Sequence, residues 1–266
     1  MTVLTREFRA SFAFVERNFN LTKRYWGWEV AFMVYSVAGA LAVTLIGRDQ
    51  GSSRLILSLM IGATFWNYLS VVFSIIAEQI SWERWEGTLE YTMMAPVRRV
   101  SQLLGSTVFA IMWGFIHTAV VLTALVLFFG IDLSHADFLT AIVLMLVGSL
   151  SIIGIGMMAA TLPLIWVERG DQMVFVIQSL LLLISGVYYS VTILPAPMQF
   201  VAAFSPATYI LDGVRQALID GAPVTSMGGH LLPLAVMAVV FIPLGVFVFG
   251  WAERYAKRTG KLKRVG

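Results

Sequence analysis

The sequence predicts an all-α integral membrane domain. It has six transmembrane helices, an interfacial helix in front, and re-entrant helices before the last span. Three observations carry this. Hydrophobic residues make up 59% of the 266, charged residues 12%, and mean hydropathy is +0.84; soluble domains run near 45–50% and 25%. The apolar residues gather into six runs of the length that hydrocarbon requires, roughly 17–25 helical residues. Lys and Arg concentrate on alternate loops. A soluble enzyme and a disordered chain are both excluded by these numbers. Residues 1–266 read as one domain.

The first element is 1–24. It mixes charges throughout, unlike a cleavable signal peptide. Leu4, Phe8, Phe12, Val15 and Phe19 fall on one helical stripe, with Arg6, Arg9, Glu16 and Arg17 elsewhere. We expect a helix lying at the membrane surface. The six spans follow at 28–46, 55–77, 101–130, 138–165, 172–193 and 229–251. The third is long: 30 residues reach about 45 Å, so it tilts or projects beyond the hydrocarbon. Fifteen Lys and Arg fall on the side of both chain ends and three (Arg48, Arg54, Arg215) on the other. Both termini are therefore expected in the cytoplasm.

Between the second and third spans, 78–100 reads EQISWERWEGTLEYTMMAPVRRV. Glu83, Glu86 and Glu90 share one face if the segment is helical, and Trp82 and Trp85 flank it. Gly87 breaks the helix, Thr88 offers an N-cap for a second piece, and Pro96 ends that piece. A connector needs only a few residues; this longer, patterned segment suits docking to a cytoplasmic partner. The shorter loop with Glu168 and Arg169 reads as an exposed turn or a smaller contact.

Residues 194–228 are too apolar for a free loop. Pro195, Pro197, Pro206 and Pro223 divide them into pieces near 198–204 and 207–219, too short to cross. Such pieces are re-entrant where protein covers their backbone. Within the spans, polar side chains are few: Asn67, His117 and Gln178, with Glu29 at a boundary. Together with Tyr188 and Tyr189 they serve either helix packing or a cargo path. Gly148, Ser149, Ser151, Gly154 and Gly156 suit close packing.

No catalytic or metal constellation emerges. Cysteine is absent, and the three histidines at 117, 135 and 230 lie far apart. The basic ends fit topology and membrane lipid rather than nucleic acid.

Two strings carry a family resemblance. Glu83-Arg84-Trp85-Glu86-Gly87-Thr88-Leu89-Glu90, followed by Met94-Ala95-Pro96-Val97-Arg98-Arg99, resembles the coupling loop of type 2 ABC exporter permeases. Ser205-Pro206-Ala207-Thr208-Tyr209, with Asp212, Gly213, Arg215 and Gly221, resembles that family's segment before the last helix. The resemblance covers essentially the whole chain. It implies a permease that pairs with a second copy, with two cytoplasmic ATPase subunits docked beneath. Glu83, Arg84, Glu86, Gly87, Thr88, Leu89, Glu90, Pro96 and Arg98 would then couple to the ATPase. Pro206, Tyr209, Asp212 and Arg215 would mark the re-entrant segment. The chain has no G-x-x-x-x-G-K-[ST] loop, so it binds no cofactor of its own in this reading; ATP and magnesium belong to the partner. The loop form is more similar to drug, antibiotic and lipo-oligosaccharide exporters than to polysaccharide permeases, which implies amphipathic cargo and a prokaryotic plasma membrane. Glycan export stays the alternative, ahead of a membrane-embedded lipid enzyme or an ion-coupled carrier.

Overall fold

A computed structural model describes residues 3–95 and 97–260. Among these, every regular element is helical. Besides two single 3-10 turns at Val191–Ile193 and Val224–Ser226, in chain order they are α1 (Val3–Arg24), α2 (Trp26–Asp49), α3 (Ser53–Ala77), α4 (Gln79–Trp85), α5 (Leu89–Met94) and α6 (Arg99–Phe129). There follow α7 (Phe138–Ala159), α8 (Thr161–Ile165), α9 (Gly170–Ile184), α10 (Ala196–Ala202), α11 (Pro206–Ile219) and α12 (Gly228–Arg258). Pro96, Lys261, Lys263 and Arg264 lie outside the described residues.

Among the described residues, five helical stretches are long and apolar enough to cross a membrane: Trp26–Asp49, Ser53–Ala77, Val100–Phe129, Phe138–Ile165 and Gly228–Arg258. The expected fifth span, 172–193, is different. It is α9, which stops at Ile184 after 15 residues, a length of about 22 Å against a hydrocarbon core of about 30 Å. The chain turns at Gly186, whose φ of 65° lies in the left-handed region that favours glycine. Two short helices follow, α10 and α11, close to the pieces that the prolines delimit; α11 is packed into the core, while α10 is mostly exposed.

Contacts fix the direction of each pass. Ser151 Oγ donates to the Leu234 carbonyl at 2.8 Å, Gly154 lies against Phe241, and Gly245 lies against Met157. Helices α7 and α12 therefore run parallel, and the chain returns between them to the end where α7 began. That return starts at Gly170, packed on Pro163, and finishes at Gly221, against the His135 carbonyl. The chain thus passes along the bundle six times, and α1 and the end of α12 share one end. We call it the basic end.

Small residues let the helices approach closely. A Cβ on Gly148 would meet Ile210 of α11 at 2.3 Å, and one on Gly62 would meet the Val187 carbonyl at 2.0 Å. The core runs through α3, α7 and α11, with Tyr68, Phe73, Leu144 and Ile152 fully buried. Tyr68 and Ser149 share a hydrogen bond of 2.6 Å. At the opposite end Asp137 caps α7, accepting from the Thr140 N–H at 3.0 Å.

The first turns of α6 are buried and carry α1: Gly105 lies against Ser11 and Phe14, Ser101 donates to Glu7, and Leu103 enters the core. Further along, Phe19 meets Phe109 edge-on at 5.0 Å. The interfacial stripe is thereby divided. Phe19 packs on protein, while Phe8 and Phe12 are 75% and 62% exposed.

Candidate coupling and translocation sites

The segment 78–100 forms a helix, a tight turn and a second helix. The turn is a Schellman motif: the Thr88 N–H bonds the Glu83 carbonyl at 2.8 Å and the Gly87 N–H bonds the Arg84 carbonyl at 3.1 Å. Gly87 supplies the left-handed residue, with φ 72°. Thr88 was expected to cap α5 with its side chain. It does not; its hydroxyl donates to the Glu83 carbonyl at 3.3 Å, because the turn already directs it backward.

The acidic face is also placed differently from a simple outward-facing patch. Glu83 is 3% exposed. Its Oε1 accepts from Arg17 at 2.8 Å, Gln102 at 3.1 Å and Gln79 at 3.4 Å. Glu86 is bound by Arg24 at 3.4 Å and by the Tyr25 hydroxyl. That hydroxyl bond pushes the Tyr25 phenol above its ordinary value. Only Glu90 of the three is exposed. Two acids therefore tie α4 to α1, since a carboxylate leaving water needs charged or hydrogen-bonding partners.

The other side of α4 is tied as firmly. Arg84 is buried and donates to the Pro163 carbonyl at 2.6 Å. Burial lowers its pKa, and Asp171 opposes that. Ser81 donates to Asp171 at the start of α9. Leu89 and Met93 enter a second core with Ile80, Leu164, Phe249 and Ala252, and Lys257 reaches the Met93 carbonyl at 3.5 Å. One short segment thus joins α1, α8, α9 and α12. Arg98, by contrast, is largely exposed, 3.6 Å from Glu7. Glu168 and Arg169 are exposed as well. Trp85, Tyr91 and Met94 point outward, 60%, 74% and 73% exposed.

Glu78, between α3 and α4, has its carboxyl pushed up to about 7, chiefly by burial. No sequence pattern marks it: its surroundings come from the fold.

Toward the opposite end, a cleft of about 640 Å³ opens among α3, α9, α10, α11 and α12. Tyr188, Tyr189, Tyr209, Asp212 and Arg215 line it. Arg215 closes the broken end of α9, donating to the Gly186 carbonyl at 3.0 Å and to the Val187 carbonyl. Those carbonyls have no helical partner, so the arginine satisfies them. Ser185 and Ser205 share a hydrogen bond of 2.8 Å. Pro206 opens α11 as its first residue. Tyr209 reaches the Ala203 carbonyl at 3.1 Å, and Asp212 pairs with His230 at 2.8 Å.

The remaining polar residues separate. Asn67 donates to Ser36 at 2.8 Å, bonding α3 to α2. Gln178 is half-buried on α9. His117 had no partner legible in the sequence, yet Glu29 Oε2 lies 3.7 Å from its Nε2 and accepts from the Trp113 indole at 3.2 Å. Glu29 is therefore turned inward from its boundary. Residues 29, 113 and 117 are too far apart in the chain for spacing to reveal the group. Among the described residues no cluster of His, Asp and Glu forms a metal site.

The comparisons with known proteins fit this architecture. No curated protein matches the chain. The family model for the ABC-2 type transporter matches residues 9–219, well over half of it. That stretch contains α4, α5, the α9 break and α11. With its long apolar helices, the chain is a multi-pass membrane protein and belongs to the ABC-2 type transporter family, as a permease component of an ABC transporter.

Proposed function

We propose that this permease is the membrane half of an ATP-driven exporter. A cytoplasmic ATPase docks on α4 and α5, and the cargo is amphipathic. One observation carries the reading most: a single short segment grips four elements of the bundle and still displays Trp85, Tyr91, Met94 and Glu90 to solvent. A push on that surface is passed to α1 through Arg17–Glu83 and to α9 through Ser81–Asp171. Exposed aromatic and Met side chains suit the centre of a protein interface. The positive-inside distribution supports a cytoplasmic position for this end, and in this reading a second permease copy with two ATPase subunits completes the transporter. A prokaryotic plasma membrane is the setting implied by the loop pattern.

Mild-detergent affinity purification with mass spectrometry tests this. A stoichiometric subunit bearing a Walker A motif is expected to accompany the chain. It should be lost when Trp85, Tyr91 and Met94 are all replaced by alanine. Recovery of the chain alone from lipid nanodiscs, or retention of the ATPase by the triple variant, would overturn the docking assignment.

A further inference from the structure

At the basic end a cavity of about 300 Å³ lies among α1, α2, α3, α4 and α6. Its walls are largely apolar, from Leu21, Tyr25, Ile75, Trp82 and Phe109. Five charged side chains also border it: Arg17, Arg24, Glu29, Glu83 and Glu86. The pairing among them is uneven. Arg17 holds Glu83 at 2.8 Å and Arg24 holds Glu86 at 3.4 Å. Among the described residues Glu29 accepts a hydrogen bond from the Trp113 indole at 3.2 Å and has no arginine or lysine partner, its one cationic neighbour being His117, charged only when protonated, at 3.7 Å. One carboxylate thus lacks the arginine that the other two have, in a pocket lined by aromatic rings. Its volume falls at the lower end of those that hold small molecules.

Such a pocket favours one kind of occupant. Glu29 is 25% exposed, and a partly buried carboxylate attracts a positive charge more strongly than one in open water, with aromatic faces adding to the attraction. The apolar walls take a hydrocarbon or ring body. An amphipathic ammonium rests naturally at this depth, because its tail seeks the bilayer while its charge stays at the interface. We propose that this cavity receives an amphipathic cation as cargo, with Glu29 as the residue that selects its charge. The inference rests on the transport reading for the word cargo. The pocket itself stands on geometry.

The test uses the full chain in phosphatidylcholine nanodiscs, with empty discs subtracted. Binding of dodecyltrimethylammonium is compared with that of neutral dodecyl glucoside, both below micellar concentration. The ammonium should bind about tenfold more tightly. Glu29→Gln keeps an acceptor for Trp113 and should abolish the preference, while Asp49→Asn, at the opposite end, should leave it intact. Equal affinity for the two amphipaths, or an unchanged preference in Glu29→Gln, overturns the proposal. A Glu29→Gln chain that unfolds would be read through Glu29→Asp, which keeps the charge and should restore selectivity; failure to restore it in a folded protein counts against the site. The two readings fail separately. A chain that binds the ammonium but recruits no ATPase keeps the site and loses the exporter. A chain that recruits the ATPase but binds both amphipaths alike does the reverse.

Discussion

Replacing Arg17 by glutamine probes the joint between α1 and α4. Glu83 is 3% exposed and Arg17 29%, so the pair sits at the inner edge of the surface. Breaking a buried pair by removing one partner costs about 3–5 kcal/mol. Here Gln79 and Gln102 still donate to the stranded carboxylate, and Arg17 already touches water, which puts the cost at the lower end, near 3 kcal/mol. For a chain of this size that lowers Tm by roughly 6 °C or more. Glu83→Gln should cost less, about 1 kcal/mol, because the released arginine reaches solvent. The double variant should resemble Glu83→Gln alone, since no buried charge is then left without its partner. Thermal unfolding in nanodiscs, followed by tryptophan fluorescence, reads all three. Additive losses in the double variant would refute the reasoning, because independent sites add and coupled ones do not.

Three further outcomes are expected. Glu78, raised to about 7 by burial, folds best when protonated, so its contribution is full below its unfolded value near 4.5 and is lost as pH rises toward 7. Glu78→Gln should then raise Tm at pH 8 by an amount equivalent to up to about 3 kcal/mol and change nothing near pH 4; a gain independent of pH would refute this. Gly62→Val should block the turn after α9, because even its Cβ would lie 2.0 Å from the Val187 carbonyl; normal yield and unaltered protease protection at 185–194 would count against that packing. Asp137→Ala removes the cap of α7 and its bond to Thr140, which should cost about 1 kcal/mol in denaturant unfolding, whereas Asp137→Asn should cost much less.

The parts of this fold legible in the sequence are those written in local pattern. Prolines at 195, 206 and 223 announce α10 and α11, and the long apolar runs announce α2, α3, α6, α7 and α12. The glutamates at 83, 86 and 90 also announce a shared helical face, but helical spacing does not say what a face meets. Only the arrival of α1 and α6 turns Glu83 inward. The end of α9 is similarly hidden. Residues 172–193 are uniformly apolar, and the helix stops at Ile184 because Arg215, far along the chain, supplies donors to Gly186 and Val187. Glu29 and His117 meet for the same kind of reason. Period and composition report neighbours along one helix, and these groups are neighbours across several.

The short α9 has an electrical consequence. Val187 lies beside Gly62, about 14 Å along α3 from its start at Ser53, and the cleft begins there. A water-accessible cleft carries little of the membrane voltage, so the potential drop is compressed into the dry stretch alongside α9. Moving one charge through the whole potential takes about 2.3 kcal/mol per 100 mV. For a charged solute that followed this route, nearly all of that work would fall between the basic end and Val187, and little of it in the cleft.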